Sequence, residues 1–433
     1  MHKTNKLFET YKRLSTHDLD LLHHLYLNRC LTYQQAITFI YQSSQSIERF
    51  YRSTVKRLIK LGVVERMEYK PHEYVLFLTT LGVDIVRENK EIPYEIFNPD
   101  TKIVKRGYYR AGELKMNPRL VNHQVHLNQF VLEFKERAKE RGLKWKYYDE
   151  KYVSQYFTIR PDGLIQLMDT DFFLEMDMGT ESKKQLIDKW NNYRDFVRTG
   201  EFTNRERKIM ILFITENVKN VEGRKDLVRF TVVQQMLDLL NESFDMVVGS
   251  KNELLDMMMD TLIPNIQEAN PAKHQILDVL AKKHSFKTDL AYPLREALNE
   301  MDYEFYIRKT NPGNNRIVQE DGRLQEYVLD DYTHEPMSIL NRIQFHEKSA
   351  NVFELHFKRR VGYIVVVNDI EKLKKDLKIA DSMHIEQVYF TTHERLAQLP
   401  FPQALFQFDA NGEIESFSDY SLQKRMKDPL GQP

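Results

Sequence analysis

The sequence predicts a chain of mixed class, α/β in its parts and α+β overall, divided into more than one folding unit. Three observations predict it. At 433 residues the chain is long enough for two to four domains, each with its own core. Towards the N-terminus three helical patterns precede two strand-like runs, and from Arg119 onward helices and strands alternate. With 42% hydrophobic and 29% charged residues, the composition is that of an ordinary globular protein on the polar side.

A single cysteine, Cys30, excludes an intramolecular disulfide and a cysteine-based zinc site, and fits a reducing, cytoplasmic compartment. No apolar run approaches the roughly 18 residues that a membrane helix needs. Met1 to Lys6 lack the apolar core of a signal peptide, so no membrane partner is expected. Lys+Arg and Asp+Glu balance at 63 each, but unevenly along the chain. Residues 1–120 hold 20 Lys+Arg against 13 Asp+Glu, an excess that the remainder reverses. Such asymmetry is expected when one module meets nucleic acid and another does different work.

The first unit spans residues 10–90. Behind a Ser15-Thr16 cap, His17 to Asn28 has helical apolar spacing, and Thr32 caps a second short helix through Ile40. A third helix runs from Ser46 to Lys60, with Ile47, Phe50, Tyr51, Val55, Leu58 and Ile59 on its apolar side. Arg49, Arg52, Ser53, Lys56 and Lys60 lie along its other face. Past Gly62, residues 63–67 and 74–78 read as strands joined by a turn that carries Lys70, and another helix opens at Thr80. Three short helices followed by a β-hairpin are the order of a winged helix-turn-helix, which lays its third helix in the major groove of double-stranded DNA. On that reading Arg49, Arg52, Ser53, Lys56, Lys60 and Lys70 meet DNA. The plainer alternative is a solvated basic helix in a module that binds protein. His23 and His24 read as packing or surface residues, since no second pair at ligand spacing accompanies them.

Residues 91–118 have little periodicity and read as a linker, anchored by an exposed aromatic pair, Tyr108-Tyr109. The second unit, residues 119–250, has the order α-β-β-β-α-β-α-β. Its fourth strand, within 207–215, is apolar on both faces, as a central strand covered by helices should be. Strands two and three, within 160–167 and 172–177, carry acids at their ends: Asp162, Glu175 and Asp177. A tight connection between them would gather these carboxylates, the usual way to hold a hard divalent cation such as Mg²⁺. Asp-Gly and Asp-rich turns also arise for conformational reasons alone.

This order, with Asp162 after Pro161 and Glu175 in the next strand, resembles the PD-(D/E)XK nuclease core. The string Glu175-Met176-Asp177-Met178-Gly179-Thr180-Glu181, then Lys189 and Tyr193 in the following helix, with His123 in the opening helix, is similar more narrowly to the bacterial plasmid replication-relaxation family. Members of that family join a winged helix to such a domain, and the resemblance covers about residues 14–250. It implies that Asp162 and Glu175 bind Mg²⁺ or Mn²⁺, with Asp177 completing the site or orienting water. The nuclease pattern places a lysine two residues after the acid, where this chain has Asp177. Lys189, or else Lys183 or Lys184, would supply it from the following helix and offset charge developing on the phosphate. The catalytic set is then Asp162, Glu175, Asp177 and Lys189, and the activity a Mg²⁺-dependent nicking of DNA. Without that lysine the scaffold would serve a non-catalytic DNA-binding regulator or replication accessory protein. No His-x-His occurs, so the metal site of rolling-circle relaxases is not expected, and no GxxxxGK[ST] supports ATP-driven initiation.

Residues 251–417 read as a helical stretch followed by a second α/β unit. Ile276 to His284 and Tyr292 to Met301 look like a helix pair, and residues 257–259 belong to an apolar core face. Strands are predicted at 303–307, 324–329, 352–357, 363–367 and 387–391, with a lysine-rich helix over 369–377. Residues 353–367 faintly resemble two strands of the nuclease core, with Glu354 for the acid, but no Pro-Asp precedes them and no repeat is inferred. Protein contacts, with a second copy as homodimer or with other replication or mobilisation proteins, or additional DNA contact, are the roles open to this part. Residues 418–433 read as a loose tail.

Overall fold

Ser15 opens the first long helix by a reciprocal cap. Its hydroxyl accepts from the Asp18 amide, and the Asp18 carboxylate accepts from the Ser15 amide. The structure is a computed structural model that describes residues 2–98, 102–153, 155–289, 303–311, 319–320, 323–324, 326–357, 361–383, 385–419 and 421–422. After α1 (His2–Tyr11) and α2 (Thr16–Asn28) comes a short strand β1 (Leu31–Thr32). Helix α3 starts as Tyr33–Gln35 and passes into a π-turn, Ala36–Tyr41. Helix α4 runs as Ile47–Phe50, a π-turn over Tyr51–Val55, and Lys56–Leu61. Strands β2 (Val64–Lys70) and β3 (Glu73–Leu78) form a hairpin with β1 on its far side, and α5 (Thr80–Asn89) follows. Leu21, Leu25, Ile37, Phe50, Leu58 and Leu76 meet in their common core. The predicted order is the one found, with one correction to α4. Ile47 is 51% and Ile59 37% exposed, because the π-turn between them adds a residue and rotates the helix ends away from a single apolar stripe.

Residues 91–118 are more ordered than a linker. Strands β4 (Glu95–Asn98) and β5 (Ile103–Arg106) pair antiparallel, and a short helix α6 (Ala111–Leu114) follows. Tyr109 is not an exposed anchor: it is only 7% exposed, its amide donates to the Tyr26 hydroxyl, and its own hydroxyl accepts from the Lys151 amide. A segment this short can be ordered by one buried ring without showing any periodicity.

The central layer comprises α7 (Pro118–Glu140), β6 (Trp145–Tyr148), β7 (Gly163–Leu167), β8 (Thr170–Asp177), α8 (Lys183–Val197), β9 (Lys208–Thr215), α9 (Val221–Met236) and β10 (Phe244–Ser250). Its sheet has the order β10-β9-β8-β7-β6, parallel from β8 to β10 and antiparallel from β6 to β8. Helix α7 covers one face, with Leu127, Phe130 and Phe134 against Ile165, Leu174 and Leu212. Helices α8 and α9 cover the other, with Leu186, Trp190 and Val232 against Phe173, Ile211 and Phe213. Strands β8 and β9 are therefore buried on both faces, which is why they read as unbroken apolar runs.

Beyond α10 (Pro271–Lys282) lies a seven-stranded sheet whose spatial order follows the chain. It contains β11 (Phe286–Asp289), β12 (Phe305–Lys309), β13 (Glu326–Asp331), β14 (Val361–Val366), β15 (Val388–Thr391), β16 (Phe406–Phe408) and β17 (Ile414–Ser416). Helix α11 (Ser338–Phe357) precedes β14, and α12 (Ile370–Ile379) follows it. The strand predicted at 352–357 is instead the last turns of α11. Its alternation also continues the helical spacing begun by Ile339, Leu340 and Ile343, and the longer pattern prevails. Glu354 is thus on a helix, and the faint likeness to the nuclease core lapses. The predicted helix 292–301 lies outside the described residues, as does most of the tail. The core that holds Trp190, Phe213 and Phe244 continues into Leu340, Tyr363 and Phe390, so the apolar interior runs across the boundary expected at residue 250. Among the described residues no helix is long and apolar enough to cross a membrane.

Candidate functional site

The site grows from the β7–β8 hairpin. Leu167 pairs with Thr170 at its turn and Gly163 with Leu174 at its open end, where the Asp162 amide donates to the Leu174 carbonyl. Continuing that register sets Asp162 opposite Glu175, two carboxylates side by side at the end of the sheet. Asp162, with a side chain 27% exposed, accepts from the Met176 amide at 2.8 Å. His123, on the second turn of α7, places Nε2 3.3 Å from that carboxylate and 3.0 Å from the Met176 carbonyl. Facing two acceptors, Nε2 carries a proton.

Glu175 is buried and fully engaged by α8. Lys189 Nζ donates to Oε2 at 2.9 Å and the Tyr193 hydroxyl to Oε1 at 2.5 Å; four residues apart, the two donors share one helix face. Lys189 also reaches Glu181 at 3.0 Å. Burial pushes the Glu175 carboxyl up, as does the charge of Asp162, with Lys189 and Tyr193 only partly offsetting them. For Asp162 burial also acts upward, but His123, Lys189 and the Met176 amide outweigh it and hold the carboxyl below its usual value. Asp162 is therefore the member that stays ionised to lower pH. His123 is raised: burial opposes its charge, and Asp162 and the Met176 carbonyl overcome that. Lys189 lies above the usual lysine range, burial being outweighed by Glu175, Glu181 and Asp162.

Asp177 leaves this group. Both its oxygens are taken by the Arg224 guanidinium of α9, at 2.6 and 2.8 Å, and one also accepts from the Gly179 amide. Gly179 has φ +70°, and a Cβ there would meet Val218 at 2.9 Å, so the turn that closes β8 onto Asp177 requires glycine. Among the described residues no three His, Cys, Asp or Glu side chains are arranged to hold a metal ion. The structure thus brings Asp162, Glu175 and Lys189 together, adds His123, Glu181 and Tyr193, and sets Asp177 apart. Arg224 escapes a reading of the sequence, since nothing in Val221 to Lys225 announces a partner on another element. Lys183 and Lys184 are exposed on the first turn of α8, and only Lys189 reaches the carboxylates.

In the N-terminal unit Arg49, Arg52, Ser53, Lys56 and Lys60 are exposed on α4, and Lys70 is exposed at the hairpin end. Arg52 pairs with Glu48, and the Ser53 hydroxyl folds back onto the Arg49 carbonyl. Arg57 turns inward, donating to both oxygens of Asp18. Arg66 of β2 lies 4.8 Å from the ring centres of both Tyr51 and Tyr74, next to this face. The unit is fastened to α7: Gln35 donates to the Val125 carbonyl, and Asn128 to those of Asn28 and Cys30. The charge of Lys70 reaches His126, which burial, Lys70 and Lys251 together hold below its usual value against Glu216. His126 lies three residues along α7 from His123, so the basic hairpin end and the carboxylate cluster adjoin the same helix.

No curated protein and no solved structure matches the chain. One family model does, that of replication-relaxation, over residues 22–212, which run from α2 into β9 and include the basic helix, the hairpin and the Asp162–Glu175–Lys189 cluster. Over that stretch the chain is similar to the replication-relaxation family.

Proposed function

We propose that the protein acts on double-stranded DNA in plasmid replication or relaxation, docking through a winged helix made of α2 to β3 and nicking the phosphodiester backbone at Asp162, Glu175 and Lys189 with Mg²⁺ or Mn²⁺. The match to the replication-relaxation family model supports the replication- and relaxation-related part of this reading. The observation that carries the chemistry is the Lys189 ammonium 2.9 Å from Glu175. Asp177 occupies the position where the nuclease pattern has lysine, and a lysine arriving from α8 supplies the missing positive charge to a phosphate in its transition state. Mg²⁺ is held through one or two carboxylates and keeps several waters, so Asp162 and Glu175 fit it without Asp177. When bound, the cation would supply Lewis acidity at a phosphoryl oxygen. His123 holds Asp162 in place, and Tyr193 orients Glu175.

A second reading, a DNA-binding accessory protein without catalysis, is favoured by one observation: both Glu175 oxygens are already occupied by protein donors. Supercoiled plasmid with Mg²⁺ or Mn²⁺ separates the two. The native chain is expected to produce nicked circles, and Asp162→Ala and Lys189→Ala to lose them. Absence of nicking, or equal nicking by Asp162→Ala, leaves the accessory reading. For docking, Arg49→Ala/Arg52→Ala/Lys56→Ala should weaken duplex binding and lower its log–log salt slope by about 2–3, at roughly 0.9 per phosphate. Unchanged affinity would move the duplex to another surface.

A further inference from the structure

A groove of about 570 Å³ opens between α8, α9 and α12, lined by Lys183, Asp226, Leu227, Phe230, Lys375 and Lys378. That size falls within the range of ligand clefts, about 300–1,000 Å³. Three exposed lysines stand over half-buried Leu227 and Phe230, with a single carboxylate among them. Lys183 Nζ lies 4.6 Å from the centre of the Phe230 ring, a cation–π contact that a stacking base would replace while the ammonium turns to its phosphate. Three acids on the surrounding segments are engaged elsewhere. Asp376 binds Arg229 and the Tyr332 hydroxyl, Glu335 binds Arg229 and Lys372, and Glu181 binds Lys189. Glu181 links the groove to the carboxylate cluster, its carboxylate binding Lys189 and its carbonyl Arg224. Lys183 follows Glu181 by two residues, and Arg224, beside the groove on α9, holds both Asp177 and the Glu181 carbonyl.

Lysines gathered around an aromatic suit a single polynucleotide strand, whose phosphates meet the ammonium groups while an unpaired base stacks on the ring. A duplex keeps its bases inside and has none to offer Phe230. An acidic peptide would use the lysines but not the aromatic face. We infer that this groove holds an unpaired stretch of a DNA strand next to the Asp162–Glu175–Lys189 cluster, an inference that rests on the proposed action on DNA.

The test is binding of the full chain to a fluorescent oligothymidylate of about 12 nucleotides, within the site sizes of single-strand binders. Lys183→Ala/Lys375→Ala/Lys378→Ala should lose about tenfold or more in affinity, with the log–log salt slope reduced by about 2 at roughly 0.7 per phosphate. Phe230→Leu, which keeps the apolar filling, should lose about tenfold with no change in slope. Native affinity in the triple-lysine variant overturns the inference. So does a neutral Phe230→Leu combined with equally lysine-dependent binding of polyglutamate, which would make the groove an acidic-peptide site. Duplex binding by the same variants keeps the two readings apart. If it stays native while Arg49→Ala/Arg52→Ala/Lys56→Ala weakens it, a failed groove leaves the proposed docking standing. If the native chain binds no duplex but binds oligothymidylate through the groove, the docking falls and the groove stands.

Discussion

Asp177 and Arg224 show how one residue changes the chemistry available to its neighbours. Glu175 and Asp177 lie two apart on β8 and so face the same side of the sheet, yet only Glu175 meets the lysine of α8. The Arg224 fork takes Asp177 in a fully buried, bidentate pair. Breaking such a pair from one side strands the other charge and costs about 3–5 kcal/mol. Arg224→Ala should therefore lower the unfolding free energy by about that amount, measured from urea unfolding, and adding Asp177→Ala should restore part of it. A loss of under ~1 kcal/mol would resemble an exposed ion pair and return Asp177 to the candidate cation ligands.

Among the elements, the N-terminal helices are joined at one carboxylate. Asp18 caps α2, accepts from the Tyr41 hydroxyl at the end of α3, and receives Arg57 of α4 at 2.7 and 2.8 Å. Burial alone would raise its pKa; Arg57 and Ser15 bring it below the usual carboxylate value. A depressed pKa contributes stability that is present above the unfolded-state value, about 3.8–3.9, and is lost as pH falls through the lower folded-state value. The protection of α2 and α4 amides, relative to unstructured peptide at the same pH, should consequently fall as the pH drops through the acid range, and Asp18→Asn should show low protection already at neutral pH with no such acid step. An acid step of full size in Asp18→Asn would assign it to other groups. The cap itself was legible, since Ser15, Asp18 and the apolar spacing behind them are local signals, as are the alternation of the hairpin and the apolar run of β9. Lys189 could be named because the family resemblance, with Asp177 in the lysine position, looks for that lysine in the following helix. The rotation of α4 at its π-turn has no local signature, so spacing alone turns Ile47 and Ile59 inward. Arg224 acts across two elements and is equally silent in the sequence. At 352–357 two periods fit the same six residues, and only the preceding turns of α11 decide between them.

Across the whole molecule, the excess of basic residues before position 120 and of acidic ones after it separates a basic N-terminal part from the acidic units behind it. Those units are not independent. Phe244, Met246 and Val248 of β10 share their cluster with Met337, Leu340 and Ile343, and Arg229 of α9 is clamped by Asp376 of α12 in a buried pair. The Ser338 amide and hydroxyl both donate to Asp245, burial pushing that carboxyl up to about 6 against the pull of these donors. A chain ending at residue 250 would remove the partners of Arg229 and Asp245 and expose Phe244, Met246 and Val248 on one face of β10, at about 1.5–3 kcal/mol for each apolar side chain uncovered. That is a large share of the roughly 5–15 kcal/mol that holds a domain folded. Residues 1–250 alone should therefore aggregate or unfold without a cooperative transition, whereas Arg229→Met/Asp376→Leu in the full chain, replacing the pair by apolar groups, should stay folded. A monodisperse 1–250 fragment with a sharp thermal transition would show instead that the central sheet closes its own core, and that the C-terminal sheet rests on it as a separate domain.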